Sequence, residues 1–189
     1  MKKLALVLLT VVCCISFIGS IYAAELAKGE TVYARSNLRA EGNVVVWHNM
    51  KSEKTLILAG TELKIVSSGG ERTMFTMVGS NKQFALKADA KQWDKFFVKD
   101  RNEIGLDKFS PDVKAKVMNC DVDKGMTKEE VYVSKGCPAY WAWGNKTERS
   151  SLNEIMRSDK WYYMTSSRGH DVMVTFANGV VVKTGAFEK

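Results

Sequence analysis

Histidine and cysteine, the side chains that most often build metal and redox centres, are scarce in this sequence. The 189 residues include two histidines and four cysteines. Neither His48 nor His170 stands in a metal-binding spacing such as HExxH, and no two cysteines form a CxxC pair. A GxSxG nucleophile motif is also missing. We therefore expect no metal, no cofactor and no enzymatic activity.

The overall composition is that of a folded protein. Hydrophobic residues make up 46% and charged residues 26%, which excludes a disordered tail, a collagen-like repeat and a multi-span membrane protein. The net charge is +7, and removal of Lys2 and Lys3 with a leader leaves 26 basic and 21 acidic residues, a charge of +5. This charge permits contact with anionic lipid or an acidic partner but is too weak to predict nucleic-acid binding.

Residues 1–23 are predicted to be a secretory signal peptide. Two lysines precede an apolar run, and small residues follow it, with cleavage expected after Ala23. An uncleaved anchor helix is one alternative, because the apolar run is only slightly shorter than a membrane span. Lipidation at Cys13 or Cys14 is another, although the residue before each cysteine is not small. Export leads to an oxidising compartment, where Cys120 and Cys137 are predicted to form a disulfide bond.

The first half of the exported chain, 24–99, is predicted to be a small β-barrel. Short β-prone stretches recur about every ten residues and are separated by turn signals such as Gly69-Gly70. They are 31–34, 44–47, 56–58, 61–66, 74–78 and 83–86. The stretch 89–99 carries aromatic residues at helical spacing after Asp89, which predicts a short amphipathic helix. Residues 100–108 are charged and are interpreted as a linker.

The segment Asn37-Leu38-Arg39-Ala40-Glu41-Gly42, followed by Ala59-Gly60-Thr61 and 63–66, resembles a bacterial SH3-type barrel. This resemblance covers about 55 residues. It implies an SH3-like fold for the first half and permits binding to cell-wall glycan.

The second half, 109–189, begins with two predicted helices. Ser110-Pro111-Asp112 is a helix start, and the helix is expected to end near Met118. Thr127 and Glu130 form a capping-box pattern, Gly136 is expected to end the second helix in the left-handed conformation, and Pro138 prevents its continuation.

Antiparallel strands are predicted to follow the two helices. They are 161–165, 171–176 and 180–182, with a turn at 167–169 and a hairpin at Asn178-Gly179. Val172, Val174 and Phe176 are expected on one face of their strand. The fold class is therefore α+β.

The pattern Gly125-Met126-Thr127, Glu130-Val131, Gly136, Pro138, Trp161, Tyr163 and Gly179-Val180-Val181 is similar to the SmpA/OmlA (BamE-like) family. The similarity covers about 75 residues. It implies two short helices packed on an antiparallel sheet, with Trp161 and Phe176 in the core. Members of this family are known as binding and scaffolding modules of the bacterial envelope, so the resemblance implies a binding role.

Three clusters contain residue types that could carry chemistry. His170 and Asp171 lie near Ser166 and Ser167, at a predicted hairpin tip where such residues are ordinary turn formers. The pair Glu129-Glu130 falls in the first turn of a helix, where acids favour the helix dipole. Asp121 and Asp123 lack the spacing of an EF-hand calcium loop. We assign no catalytic or metal-binding residue.

Tyr140, Trp141 and Trp143 form the candidate interaction surface. The two tryptophans would share one face of a strand and could bind a partner, or they could cover the core. We expect an exported, periplasmic, non-enzymatic protein that binds another protein and supports outer-membrane assembly or integrity, in association with the outer membrane. The alternatives are a cell-wall or glycan-binding protein and an inhibitor of a secreted enzyme. Contact with peptidoglycan or anionic lipid fits the charge.

Overall fold

A computed structural model of the protein describes residues 25–46, 55–142, 145–164 and 171–186. Within these ranges the chain forms two β-sheets and a few short helices, which confirms the α+β class. The signal-peptide prediction for 1–23 lies outside the described residues. No helix in the described ranges is long and apolar enough to cross a membrane.

The first half forms a curled sheet of eight strands. The order is β4-β2-β3-β7-β6-β5-β1-β8, antiparallel throughout except for the parallel pair β3 and β7. The strands are β1 (Thr31–Ala34), β2 (Leu38–Glu41), β3 (Val44–Val46), β4 (Thr55–Ile57), β5 (Glu62–Gly69), β6 (Arg72–Met77), β7 (Gln83–Lys87) and β8 (Phe97–Val98).

Most of these strands coincide with stretches predicted from their β-branched and aromatic residues and the turns between them, and β5 also from the alternation of its polar and apolar residues. Leu63 and Ile65 of β5 are buried on either side of the exposed Lys64, as the pattern predicts. Gly70 has a positive φ in the β5–β6 hairpin, which confirms that turn. Strand β2 was not predicted, since Leu38–Glu41 carries two charged residues among its four.

The predicted helix at 89–99 is wrong. Ala90–Lys95 forms 3₁₀ turns interrupted at Gln92, and β8 follows and pairs with β1. The predicted cap is present, because Asp89 Oδ1 accepts a hydrogen bond of 2.9 Å from Lys91 N–H. Phe96 and Phe97 are both buried. Two consecutive aromatic side chains are buried more readily where the chain leaves a helix for a strand than on one face of a helix.

The predicted linker 100–108 is a packed connection. Arg101–Ile104 and Leu106–Lys108 form 3₁₀ turns, and Asp100 caps the first of them. Ile104 is buried beside Val98, Val117 and Val133, which come from both halves. The two halves are therefore joined by contacts as well as by the chain.

The two predicted helices are confirmed as α1 (Pro111–Met118) and α2 (Lys128–Lys135). The capping box is complete, because Thr127 Oγ1 accepts from Glu130 N–H at 3.2 Å and Glu130 Oε2 accepts from Thr127 N–H at 2.7 Å. Gly136 ends α2 with φ 80° but ψ −165°, so its predicted left-handed helical conformation is wrong although its φ is positive.

The second sheet has the order β10-β9-β11-β12-β13. The Asn178-Gly179 hairpin is confirmed, with φ values of 51° and 77°. The short helix α3 was not predicted, although Ser151 and Glu154 form a capping box. The remaining elements are β9 (Tyr140–Ala142), β10 (Asn145–Lys146), α3 (Leu152–Arg157), β11 (Lys160–Met164), β12 (Asp171–Ala177) and β13 (Val180–Ala186).

The larger of the two hydrophobic clusters contains residues of both halves. Trp161 stacks edge-on against Phe176 at 4.7 Å and against Tyr132 at 6.0 Å, and the same cluster contains Phe75 and Phe97 of the first half. Trp161 and Phe176 are buried as expected. The elements of one half therefore complete the core of the other.

Asn37 is the polar residue that ties the halves together. Its amide nitrogen donates to Val117 O at 2.6 Å and Ser134 O at 3.1 Å, and it lies 3.2 Å from Cys120 Sγ. Its side-chain oxygen accepts from Ala59 N–H at 2.9 Å, and its backbone N–H donates to Val133 O at 3.0 Å. These bonds close the C-terminal ends of α1 and α2, whose last carbonyls have no partner within their own helix.

Asn37→Ala is expected to lower the free energy of unfolding by about 3 kcal/mol, because it leaves several buried groups without partners. Chemical denaturation monitored by tryptophan fluorescence measures this loss. The exposed substitution Asn81→Ala serves as control and is expected to change stability by about 0.5 kcal/mol or less. An Asn37→Ala variant as stable as this control would contradict the proposed role.

Candidate functional site

The predicted disulfide between Cys120 and Cys137 is absent, and both residues are buried free thiols. Each is held among different partners. Cys120 follows α1 with φ 56° and faces the Asn37 amide, whereas Cys137 Sγ lies 3.6 Å from Pro138 O and 3.7 Å from Thr147 Oγ1. The spacing of the two cysteines in the sequence allowed a bridge. In the structure, however, the Cys120 thiol faces the Asn37 amide and not Cys137.

The predicted interaction surface is only partly brought together. Trp141 is half-buried, packs against the hydrophobic core and donates from Nε1 to Ser150 Oγ at 2.7 Å. This arrangement fits the core-covering alternative for Trp141. Tyr140 is the neighbouring residue in β9 and is half-buried on the other face of the strand. Trp143 lies outside the part of the chain that the structure describes.

Tyr140 belongs to a row of side chains on the outer face of the second sheet. In β11, Trp161 and Tyr163 point into the core, so Tyr162 between them points to the opposite face. Tyr162 is directly paired with Tyr140 on one side and with Met173 on the other. We call these residues, together with Met164, the outer face.

The outer face combines apolar area with flanking positive charge. Tyr162 is 4% exposed although it belongs to neither core cluster, while Tyr140, Met164 and Met173 are half-buried. The next row of the sheet carries the exposed Lys160 and Lys183 on either side of Thr175. Tyrosine and methionine are side chains that interfaces favour, because they offer large and adaptable contact area.

The alternation along β12 is the sequence signal that indicates the outer face. Val172, Val174 and Phe176 alternate along β12 and face the core as predicted. The same alternation assigns Met173 to the other face, where its partner in β11 is Tyr162. The register that places Tyr140 beside Tyr162 could not be predicted from the sequence, because a long polar segment joins β9 and β11.

A second cluster lies where the two halves meet. Lys95 is 2% exposed, and its ammonium group donates to Gln92 Oε1 at 2.5 Å, Thr147 O at 2.6 Å and Glu148 O at 3.4 Å. Burial lowers the pKa of Lys95, an effect that nearby negative groups such as Asp94 partly offset. All three ammonium protons have acceptors. Because two of these acceptors are carbonyl groups of the second half, Lys95 links the two halves. No sequence pattern marks this lysine.

Three acidic groups near this junction, those of Tyr132, Tyr163 and Cys137, are kept neutral by burial. The Tyr132 hydroxyl donates to Lys95 O at 3.0 Å, and the Tyr163 hydroxyl donates to Gly136 O at 3.2 Å. Burial raises the pKa of Tyr132, Tyr163 and the Cys137 thiol. The adjoining recess offers about 10 Å³ to the centre of a water-sized molecule, which is enough for one water.

The remaining candidates have structural roles or lie outside the described ranges. Glu130 completes the α2 capping box, and Asp123 pairs with Lys116 at 2.7 Å. The His170 cluster, with Ser166 and Ser167, falls on residues that the structure does not describe. Within the described ranges no three His, Cys, Asp or Glu side chains are grouped closely enough to hold a metal ion.

Comparison with known proteins gives no match for this chain, whether with family models, curated proteins or solved structures.

The buried Cys137 thiol and Tyr163 hydroxyl predict that the protein loses stability at alkaline pH. The unfolded chain ionises Cys137 and Tyr163 near their ordinary pKa values of 9.0 and 10.0, while the folded chain holds them neutral, so unfolding is favoured as the pH rises above about 9. Their contribution is fully present below that pH. Lys95, whose pKa is lowered, has the opposite effect up to its ordinary value of 10.5.

Cys137→Ala is expected to make the fall of unfolding free energy above pH 9 shallower than in the wild type. Urea denaturation at intervals from pH 7 to pH 11 measures the slope. Val133→Ala, which removes buried volume without removing an ionisable group, is expected to lower stability equally at each pH. Equal slopes for wild type and Cys137→Ala would contradict the assignment.

Proposed function

We propose that the protein is an exported, non-enzymatic binding or scaffold module of the bacterial envelope and that it supports outer-membrane assembly or integrity. The observation that carries this proposal is the outer face, where the half-buried Tyr140 and Met173 lie on either side of the buried Tyr162, with lysines in the next row of the sheet. A protein partner is the ligand that best fits an apolar row on an otherwise polar sheet surface.

The order of elements supports a SmpA/OmlA (BamE-like) module in the second half. Two short helices, the first of them ending at Met118 and the second beginning at Lys128, precede the antiparallel strands β11, β12 and β13. The Trp161 and Phe176 side chains lie in the core as this resemblance implies. The family resemblance and the outer face therefore favour the same class of function.

An SH3-like fold is proposed for the first half. Its β5–β6–β7 meander fits a small barrel, whereas its eight strands and the parallel β3–β7 pair go beyond one. Asn37, at the start of the motif that carries this resemblance, is occupied by contacts with the second half. The outer face therefore carries the proposal for partner binding, and binding to glycan is the alternative tested against it.

A photo-reactive amino acid at Tyr140 is expected to form a discrete adduct with a protein in the intact envelope. Met173→Lys, which introduces a charge into the apolar row, is expected to lower the yield of that adduct at least fivefold. Val78→Lys, at an exposed site on the first half, is the matched control and is expected to leave the yield unchanged.

Absence of an adduct, or an equal effect of the two lysine substitutions, would contradict the proposal. Retention of the purified protein on peptidoglycan, with no adduct from Tyr140, would instead support the glycan-binding alternative. A secreted hydrolase as the adduct partner, inhibited by the purified protein, would support the inhibitor alternative.

The proposed export is tested by mass and location. The mature protein is expected in the periplasmic fraction with a mass that corresponds to 166 residues beginning at Ala24. Intact mass spectrometry of the fractionated cells measures both. A 189-residue chain that sediments with the inner membrane would show that the segment is retained as an anchor.

A further inference from the structure

The pairing of β11, β12 and β13 shows which backbone N–H and C=O groups of β13 point away from the sheet. Phe176 N–H donates to Asp159 O at 2.8 Å, so this residue of β12 bonds toward the β11 side. Because bonding alternates along an antiparallel strand, Val174 and Val172 also bond toward β11. Their partners in β13 are Thr184 and Ala186, whose N–H and C=O groups therefore point away from the sheet.

Among the residues that the structure describes, only the beginning of this edge is covered by another segment. Val181 N–H donates to Met126 O at 2.8 Å, and Val181 O accepts from Gly125 N–H at 2.9 Å. A register shift then follows between Val181 and Lys183. Within the described residues β13 is the last strand of its sheet, so Lys183–Ala186 is an edge on which no further strand lies.

Gly185 lies in this uncovered stretch and has no structural need to be glycine. Its φ is not in the left-handed region, and a Cβ atom added to it would meet nothing within 4 Å. Gly185 pairs with Met173, so it lies on the outer face and leaves a hollow at the edge of the row. A glycine inside a strand often marks a position where another backbone approaches closely.

We propose that Lys183–Ala186 receives an extended segment of the partner protein, which adds to the second sheet as a sixth strand. The partner residue opposite Gly185 carries a large apolar side chain that packs over Gly185 against Met173. The partner residue two positions further along the added strand is acidic and forms an ion pair with Lys183, because alternate residues of a strand share a face. This inference rests on the proposed function and specifies the partner's chemistry.

The lysine row favours a foreign segment over a second copy of this chain. Lys183 and Lys160 lie on the same side of the sheet, and β13 itself contains no acid to offer them. A strand from another protein with an acidic residue beside Lys183 would neutralise this positive charge. Strand addition supplies backbone hydrogen bonds for affinity, while alternate side chains supply specificity.

A displayed library of linear heptapeptides, selected on the mature protein, tests this proposal. The selected peptides are expected to share an aromatic or large aliphatic residue with an acid two positions away. Fluorescence anisotropy with a labelled synthetic copy measures affinity. Thr184→Pro is expected to weaken binding at least tenfold because it removes an outward N–H, whereas Thr184→Val keeps that group and is expected to bind normally.

Gly185→Val fills the hollow and is also expected to weaken binding at least tenfold. Gly69→Val is its matched control, since Gly69 has equal space around it and lies in the other sheet. Thermal unfolding confirms that all four variants fold. Failure to select any peptide, or equal binding by wild type and Thr184→Pro, would overturn the proposal.

Two further results separate the possible failures. A dimer in solution that Thr184→Pro converts to a monomer would identify a second copy as the occupant and reject the foreign strand. An adduct from Tyr140 without any selected peptide would reject strand addition alone and leave the proposed function standing. Absence of both would reject the two proposals together.

Discussion

The burial of one amide, that of Asn37, constrains the whole molecule. A polar group in the interior is costly unless each of its donors and acceptors is matched. Asn37 finds its partners at the ends of α1 and α2 and in the turn before β5, so the three segments must arrive at one point. Gly136 completes this junction, because a Cβ atom there would lie 3.3 Å from Asn37 O. The two halves are consequently held at a fixed distance.

This junction explains why two apparently independent halves share a core. Lys95 of the first half bonds the carbonyls of Thr147 and Glu148, and Tyr132 of the second half bonds the carbonyl of Lys95. A buried ammonium group is tolerated here because acceptors surround it. Phe96 and Phe97, which were interpreted as part of one helical face, instead lie in the core cluster that both halves share. The orientation of the second sheet, and with it the outer face, follows from these contacts.

The sequence predicted local features well and long-range ones poorly, for a physical reason. The α2 capping box, the Pro111 helix start and the Asn178-Gly179 hairpin depend on residues within four positions of one another, and all are confirmed. The 89–99 helix was wrong because tertiary packing of Phe97 against β1 outweighed a weak local preference. The Cys120–Cys137 bridge was wrong because proximity in sequence does not fix side-chain direction. For the candidate site, Tyr140 was found from its aromatic neighbourhood, but Tyr162 and Met173 required the strand register.

The distant partners of Asn37 also determine when the molecule can fold. Its side-chain bonds span 80, 83 and 97 residues along the chain. Such non-local closure is slow, because loop entropy is lost before the contacts are gained. While the chain is being synthesised, this amide lacks its partners Val117 O and Ser134 O until α1 and α2 have been made. The first half therefore reaches its final packing only together with the second half.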